Sequence, residues 1–356
     1  MPDYPTLVFF EQGSWVAYLG LVVVVVGLIV LAELVKRWRV AALILFLVIP
    51  VVLTITWWPH STVGTASAGW FPIVKVYSAL AGSLALVGGQ VFPSWRRSRI
   101  WQAILPLILA INIAEAVVRD FQCYSIHGVD PTQGMWTMGG PWNIMNGVAG
   151  ILNLLAICGW MGIIVSKQKG EGIIWPDMTW LWIIAYDLWN FAYLYNCLAD
   201  RAWYSGLALL LSCTIPAALL GRGSWIQYRA YTLALWSMFV VTFPHFTQDS
   251  AFALRSSHNT TVLFAVSFAA LAVNVWLIWV HVRAIATRRR NPLRQEIYPE
   301  SEYYATLMRE HATDEEKAVV AARAGSTPEA LGWTGPVDAA RTVSTTAASN
   351  RGGGRN

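Results

Sequence analysis

The chain has 356 residues, 56% hydrophobic and 13% charged, with a formal net charge of +5. Soluble proteins carry roughly 25% charged residues, so this balance and a mean hydropathy of +0.48 exclude an ordinary soluble domain and predict an all-α polytopic membrane bundle. The basic residues flank apolar segments rather than forming one patch, which argues against a nucleic-acid partner.

Residues 1–14 contain no Lys or Arg and carry Asp3 and Glu11, so no leader with a basic start is read there. A spanning helix needs about 20 apolar residues. Nine segments qualify in chain order: 15–35, 40–58, 70–92, 101–118, 142–166, 178–198, 202–220, 227–243 and 261–284. The first ends with Glu33 in helical reach of Lys36 and Arg37, an interfacial ion pair. Trp175, Pro176 and Asp177 read as a helix start, with Pro176 in the first turn and Asp177 favoured by the helix dipole. Trp57, Trp58, Trp70, Trp95, Trp101, Trp142, Trp175 and Trp203 lie near segment ends and read as an aromatic belt.

Basic residues set the direction. One set of loops holds fifteen: Lys36, Arg37, Arg39, Arg96, Arg97, Arg99, Lys167, Lys169, Arg222, Arg229, Arg283, Arg288, Arg289, Arg290 and Arg294. The alternate loops hold three, Arg119, Arg201 and Arg255. This predicts a multi-pass protein of the cell membrane with its N-terminus extracytoplasmic and its C-terminus cytoplasmic.

Residues 1–290 read as the transmembrane domain and 291–330 as a cytoplasmic tail with short helices. One helix is expected near 300–311. Another is capped by Thr313 and Glu316 ahead of KAVVAARA, with Gly325 as its stop. Residues 331–356 are rich in Ala, Thr, Ser and Gly and read as disordered. The tail is a plain extension or a docking element for a membrane partner or a second copy of the chain.

Ionisable residues inside spans are costly and commonly functional. Lys75 lies on the third span, Glu115 on the fourth and Asp187 on the sixth. Asn112 and Glu115 share a face with Arg119. On the fifth span Asn143, Asn146, Gly150 and Asn153 form a polar stripe of small residues. On the sixth, Asp187 and Asn190 share a face, and Tyr186, Asn190, Tyr193 and Cys197 form an adjacent one. With the N-terminus outside, these positions converge on the outer half of the bundle and predict an outward-facing polar pocket ending near Asp187. Lys75 is expected to pair with Glu115 or Asp187. Asn and small residues also join membrane helices without any ligand, and the fifth-span stripe reads at least as well that way.

Cys158 and Cys213 read as small core residues, and a bridge between Cys123 and Cys197 is open. His60, Cys123, His127, His245, Asp249 and His258 come from three loops without a ligand motif, so no metal site is assigned. The loop at 119–141 is an ordinary connection or a lid. Asn259 heads a glycosylation sequon. No P-loop, dinucleotide fingerprint, HExxH or nucleophile elbow occurs, and no cofactor is expected.

The stretches GGPWNIMNGVAGILN (139–153) and WPDMTWLWIIAYDLWNFAYLYNCLADR (175–201) resemble a family of uncharacterised bacterial multi-pass membrane proteins, over roughly 10–285. The resemblance implies the fold class and a bacterial inner membrane, and carries over no catalytic residue. Taken together, the residues predict a transporter or channel for a small polar or ionic solute. Lys75, Asn112, Glu115, Asn143, Asn146, Asp187, Asn190 and Tyr193 would line its path, with Asp187 as a proton site. The alternative is an intramembrane enzyme using Asp187 and Glu115 as general acid and base on a lipid-like substrate. A non-catalytic membrane subunit or sensor is the third reading.

Overall fold

The computed structural model describes residues 6–7, 11–65, 67–96 and 98–334. Among the described residues the chain runs through nine long helical segments, with single helical turns at Trp58–Ser61, Pro93–Arg96 and His245–Gln248 between them. The long segments are α1 (Trp15–Arg37), α2 (Arg39–Thr56), α3 (Trp70–Val91), α4 (Arg99–Cys123), α5 (Pro141–Leu155), α6 (Trp180–Cys197), α7 (Ala199–Leu219), α8 (Trp225–Thr242) and α9 (Thr260–Arg288). Two tail helices follow, α10 (Glu302–His311) and α11 (Asp314–Arg323). Strands are confined to three small hairpins, 6–7 with 11–12, 127–129 with 136–138 and 164–165 with 173–174, so the fold is all-α.

α1, α2, α3, α4, α7 and α9 contain stretches long and apolar enough to cross a membrane. Val22, Val26 and Val30 on α1 and Phe264, Phe268 and Trp276 on α9 are uncovered. Apolar faces of this extent fit a membrane location, where lipid rather than water meets them. α6 and α8 lie mostly inside, whereas α5 keeps an uncovered apolar face of Ile144, Val148, Ile151 and Leu155. α5 packs on α4, α6 and α9, and α8 packs on α3, α7 and α1. Close approach at α5 depends on Gly150, where an added Cβ would lie 2.4 Å from Trp189 Nε1 and 2.5 Å from Val117 Cγ2.

The two ends of the bundle differ. At the N-terminal end Glu11 accepts from the Tyr195 hydroxyl and from Ser257 N–H at 2.9 Å, tying the first residues to α6 and to the loop before α9. At the tail end Glu33 takes both expected partners, Lys36 at 3.5 Å and Arg37 at 2.9 Å, and adds the Tyr228 hydroxyl.

The fifth segment is shorter than expected. α5 stops at Leu155, about 22 Å of helix, and the chain turns at Gly159 with φ +68°. Ile164 and Val165 then pair with Ile174 and Ile173. This hairpin is apolar because the tail covers it, so its composition imitates a continuing span. Ile164 and Ile174 pack with Tyr304, Leu307, Met308 and Val320. The helix start expected at Trp175–Asp177 comes later, at Trp180 with Thr179 as its cap, because Asp177 instead accepts from the backbone N–H groups of Ile297 and Tyr298, each at 2.8 Å. The Thr313–Glu316 capping box opens α11, and Gly325 takes φ +70° just past its end. The expected boundary at 331 falls inside this packed cap, because Leu331 and Trp333 are buried in it. Residues 335–356 lie outside the described residues.

The aromatic belt divides in two. Trp57, Trp70 and Trp95 are exposed, whereas Trp58, Trp101, Trp142, Trp175 and Trp203 are core residues.

Candidate functional site

A cavity of about 220 Å³ lies between α3, α4, α6, α7 and α8. On α8 its wall runs from Ile226 to Val241, about 22 Å along the helix, and on α3 from Pro72 to Leu86, about 21 Å. Most of the wall is apolar. Pro72, Lys75, Ser78 and Asn112 are only half-buried and form a mouth between α3 and α4. Gln133 and Arg201 contribute from the N-terminal end, and Arg229 from the first turns of α8.

The expected site residues separate into two groups. Lys75, Asn112, Asn190 and Tyr193 line the cavity. Lys75 Nζ pairs with Glu115 rather than Asp187 and also donates to Asn112 Oδ1 at 3.2 Å. Glu115 is therefore held at the mouth through Lys75. Asp187 does not reach the cavity. The α6 wall follows Tyr186, Asn190 and Tyr193, and Asp187 is set about 100° around the helix from Tyr186. Its Oδ2 accepts from Thr214 Oγ1 of α7 at 2.6 Å, and Trp225 Nε1 donates to the same hydroxyl at 3.0 Å.

The inner charge of the chamber is Arg229. Counted by sequence among the basic loop residues, it is instead buried within α8. Nε donates to the Tyr186 hydroxyl at 3.3 Å and Nη2 to Asn190 Oδ1 at 3.4 Å. The guanidinium lies 5.8 Å from the Tyr186 ring centroid, a cation–π contact. Arg201 was likewise assigned to a loop, but it is buried on the cavity wall with Nη2 3.5 Å from Ser67 Oγ. The available signal was the apolar run after Arg229, which puts it a full turn inside a helix that begins at Trp225.

Asn143 and Asn146 belong to a different cluster. Both point to Asp120, a fully buried carboxylate two residues beyond the expected end of the fourth span. Asn146 Nδ2 donates to Asp120 Oδ2 at 2.7 Å, and Asn143 Nδ2 and Cys197 Sγ approach Oδ1 at 3.5 and 3.4 Å. Asn153 continues the stripe by donating to Asn274 Oδ1 of α9 at 3.0 Å. The stripe therefore joins α4, α5, α6 and α9 and does not line the cavity.

The loop after α4 is pinned. Arg119 pairs with the buried Asp130, whose Oδ1 accepts from Thr132 N–H at 2.9 Å. This brings Gln133 to the cavity wall, so part of the loop does cover the chamber. All four cysteines are free thiols. Among the described residues no group of three His, Cys, Asp or Glu side chains is close enough to hold a metal ion.

The chain belongs to a family of unknown function, DUF5692, whose family model matches residues 11–310. No curated protein and no solved structure matches it.

Proposed function

We propose that this member of the family is an integral membrane transporter or channel for a small polar or ionic solute, with the cavity between α3, α4, α6, α7 and α8 as its path. The observation that carries the reading is the length of the chamber. Its α8 wall covers about 22 Å from Ile226 to Val241, against a hydrocarbon core of about 30 Å. Cationic side chains stand toward both ends, Arg201 near one and Arg229 near the other. A purely structural void has no need of charge at either end, since a buried ion is costly wherever it is not used.

The basic-residue asymmetry orients the path. In the cell membrane the N-terminal end, with Gln133 and Arg201, faces outward, and Arg229 and the tail face the cytoplasm. Lys75 and Glu115 act as a charged pair at the mouth, and Asp187 has no part in the path. The acid–base alternative needs two carboxylates in one chamber. Asp187 is turned to Thr214 and Glu115 is engaged by Lys75, so no observation favours it.

The test is flux in liposomes reconstituted with the purified protein, using a panel of small inorganic and organic ions. Arg229→Gln and Lys75→Ala are expected to lower flux at least about tenfold, the loss of one charge-assisted hydrogen bond. Asp187→Asn is expected to keep it. Unchanged flux in both Arg229→Gln and Lys75→Ala removes the reading.

A further inference from the structure

The buried polar atoms left over at this cavity are all donors. Arg229 uses Nε and Nη2 on Tyr186 and Asn190, while its buried Nη1 has no hydrogen-bond partner. Arg201 uses Nη2 on Ser67, and its buried Nε has none. Gln133 Nε2 is a third donor in the same state. All three residues line the cavity and are more than nine-tenths buried. No buried acceptor atom of a lining residue is left without a partner among the described residues.

Such a wall selects by chemistry. A cation or a donor-rich solute meets guanidinium charge and finds, besides hydroxyls such as those of Ser205, Ser237 and Tyr193, no acceptor left over. A neutral apolar molecule leaves buried N–H groups unpaired, which is unfavourable. An anion supplies the missing acceptors, and a guanidinium is the side chain best matched to carboxylate geometry. The neighbours of Arg229 hold two of its nitrogens and leave the third for a ligand. The rest of the wall, including Val76, Leu86, Leu105 and Leu233, is apolar and suits a short hydrocarbon body.

We infer that the solute is a small amphipathic anion, of the class of a short-chain monocarboxylate, whose charged group is taken by Arg229 and whose apolar part lies along α3 and α8. This rests on the transport reading of the cavity. Arg201 and Gln133 form an earlier station for the same charged group. Two stations at opposite ends let a solute be held and released in sequence, which one deep site would hinder.

The experiment compares hexanoate, hexanamide and hexylammonium, which share a chain and differ in charge. Each is titrated against the full-length protein in phosphatidylcholine nanodiscs, following the fluorescence of its tryptophans, since Trp236 lines the cavity. Hexanoate is expected to bind at least about tenfold more tightly than hexanamide, with no saturable response to hexylammonium. Arg229→Gln is expected to bring hexanoate down to the hexanamide level, and Arg201→Gln to weaken it less. Hexanamide or hexylammonium binding as tightly as hexanoate overturns the inference on the unmodified protein, whether or not the variants fold. Nanodiscs containing phosphatidylglycerol separate two sources of the anion. Competition with hexanoate assigns the site to an anionic headgroup, and no competition assigns it to a free solute; both keep the anion. Selective hexanoate binding without flux of any ion leaves the anion site and removes transport. Flux with a preference for hexylammonium does the reverse.

Discussion

Asp120 and Arg229 are both buried charges within one bundle, and they are satisfied in opposite ways. Asp120 collects Asn143, Asn146 and Cys197 from α5 and α6 and adjoins no cavity wall. Arg229 has two neighbours that fix its plane and one nitrogen left over, and it lines a chamber. In the first the carboxylate is filled and holds helices together, although Asn146 Oδ1 beside it keeps no partner. The second is open by one bond. A polar stripe on a helix indicates burial of polar groups; the balance of donors and acceptors around it distinguishes adhesion from a site.

The largest expected effect falls on the Asp120 cluster. Asp120→Leu leaves the Asn143 and Asn146 amides without their acceptor, at a cost of about 1–3 kcal/mol for each buried group. Thermal unfolding in detergent is expected to show a clear loss of stability, with Asp120→Asn intermediate. A melting temperature unchanged in Asp120→Leu, with flux lost, would invert the comparison.

Asp177 extends the test beyond the bundle. It too is filled, accepting from Ile297 and Tyr298 N–H. Asp177→Ala is expected to cost about 2–3 kcal/mol and to open the tail to trypsin at Arg309 and Arg323. A tail as resistant as that of the unmodified protein would break the parallel with Asp120.

The next effect is a pH dependence. Burial pushes the Asp177 carboxyl up to about 6, above the roughly 3.9 of an unfolded chain. A raised carboxyl favours its protonated form in the folded state. Its contribution is therefore complete below about pH 4 and is lost as pH climbs through 6. Burial also raises Glu296 and lowers His311, but Asp177→Asn leaves both in place, so the difference between the two proteins reports on Asp177 and on its charge coupling to Glu296. That difference is expected to move against the unmodified protein by about 1 kcal/mol between pH 5 and 7. A flat difference would mean that the two N–H bonds outweigh burial.

The smallest expected change in stability is the sharpest contrast. Arg229→Gln removes a buried charge that is only partly paired, so the melting temperature should stay within a few degrees or rise. Flux should nevertheless fall at least about tenfold. A collapse of stability comparable to Asp120→Leu would make Arg229 a second adhesive group.

The all-α fold and the places of its long helices were legible because long apolar runs bounded by basic or aromatic residues leave few alternatives, although only six of the nine segments are long and apolar enough to span. The misreadings lie at boundaries. Ending the fourth span at 118 left Asp120 in the following loop, and counting Arg229 with the basic loops overlooked its place inside the eighth segment, 227–243. The run after Asn153 stayed apolar through Val165, so periodicity could not separate a helix from a hairpin buried by the tail. The site was half legible. Lys75, Asn112, Asn190 and Tyr193 do share a chamber. The partner of each polar face was not readable, because spacing fixes which residues lie together on one helix and says nothing of the helix opposite.

The tail acts at a distance on that chamber. Asp177 is held by residues 297 and 298, Trp175 N–H donates to Gly223 O at 2.9 Å, and Ile173 N–H donates to Gln227 Oε1 at 2.8 Å, two residues before Arg229. Every wall residue of the chamber is in the chain by Val241, whereas Trp333, which seats the cap, comes much later. During synthesis from the N-terminus the walls are therefore all made before their footing exists. α8 is gripped beside its arginine from two sides, by Gln227 on the hairpin that the tail covers and by Tyr228 on Glu33 and Lys36 of α1.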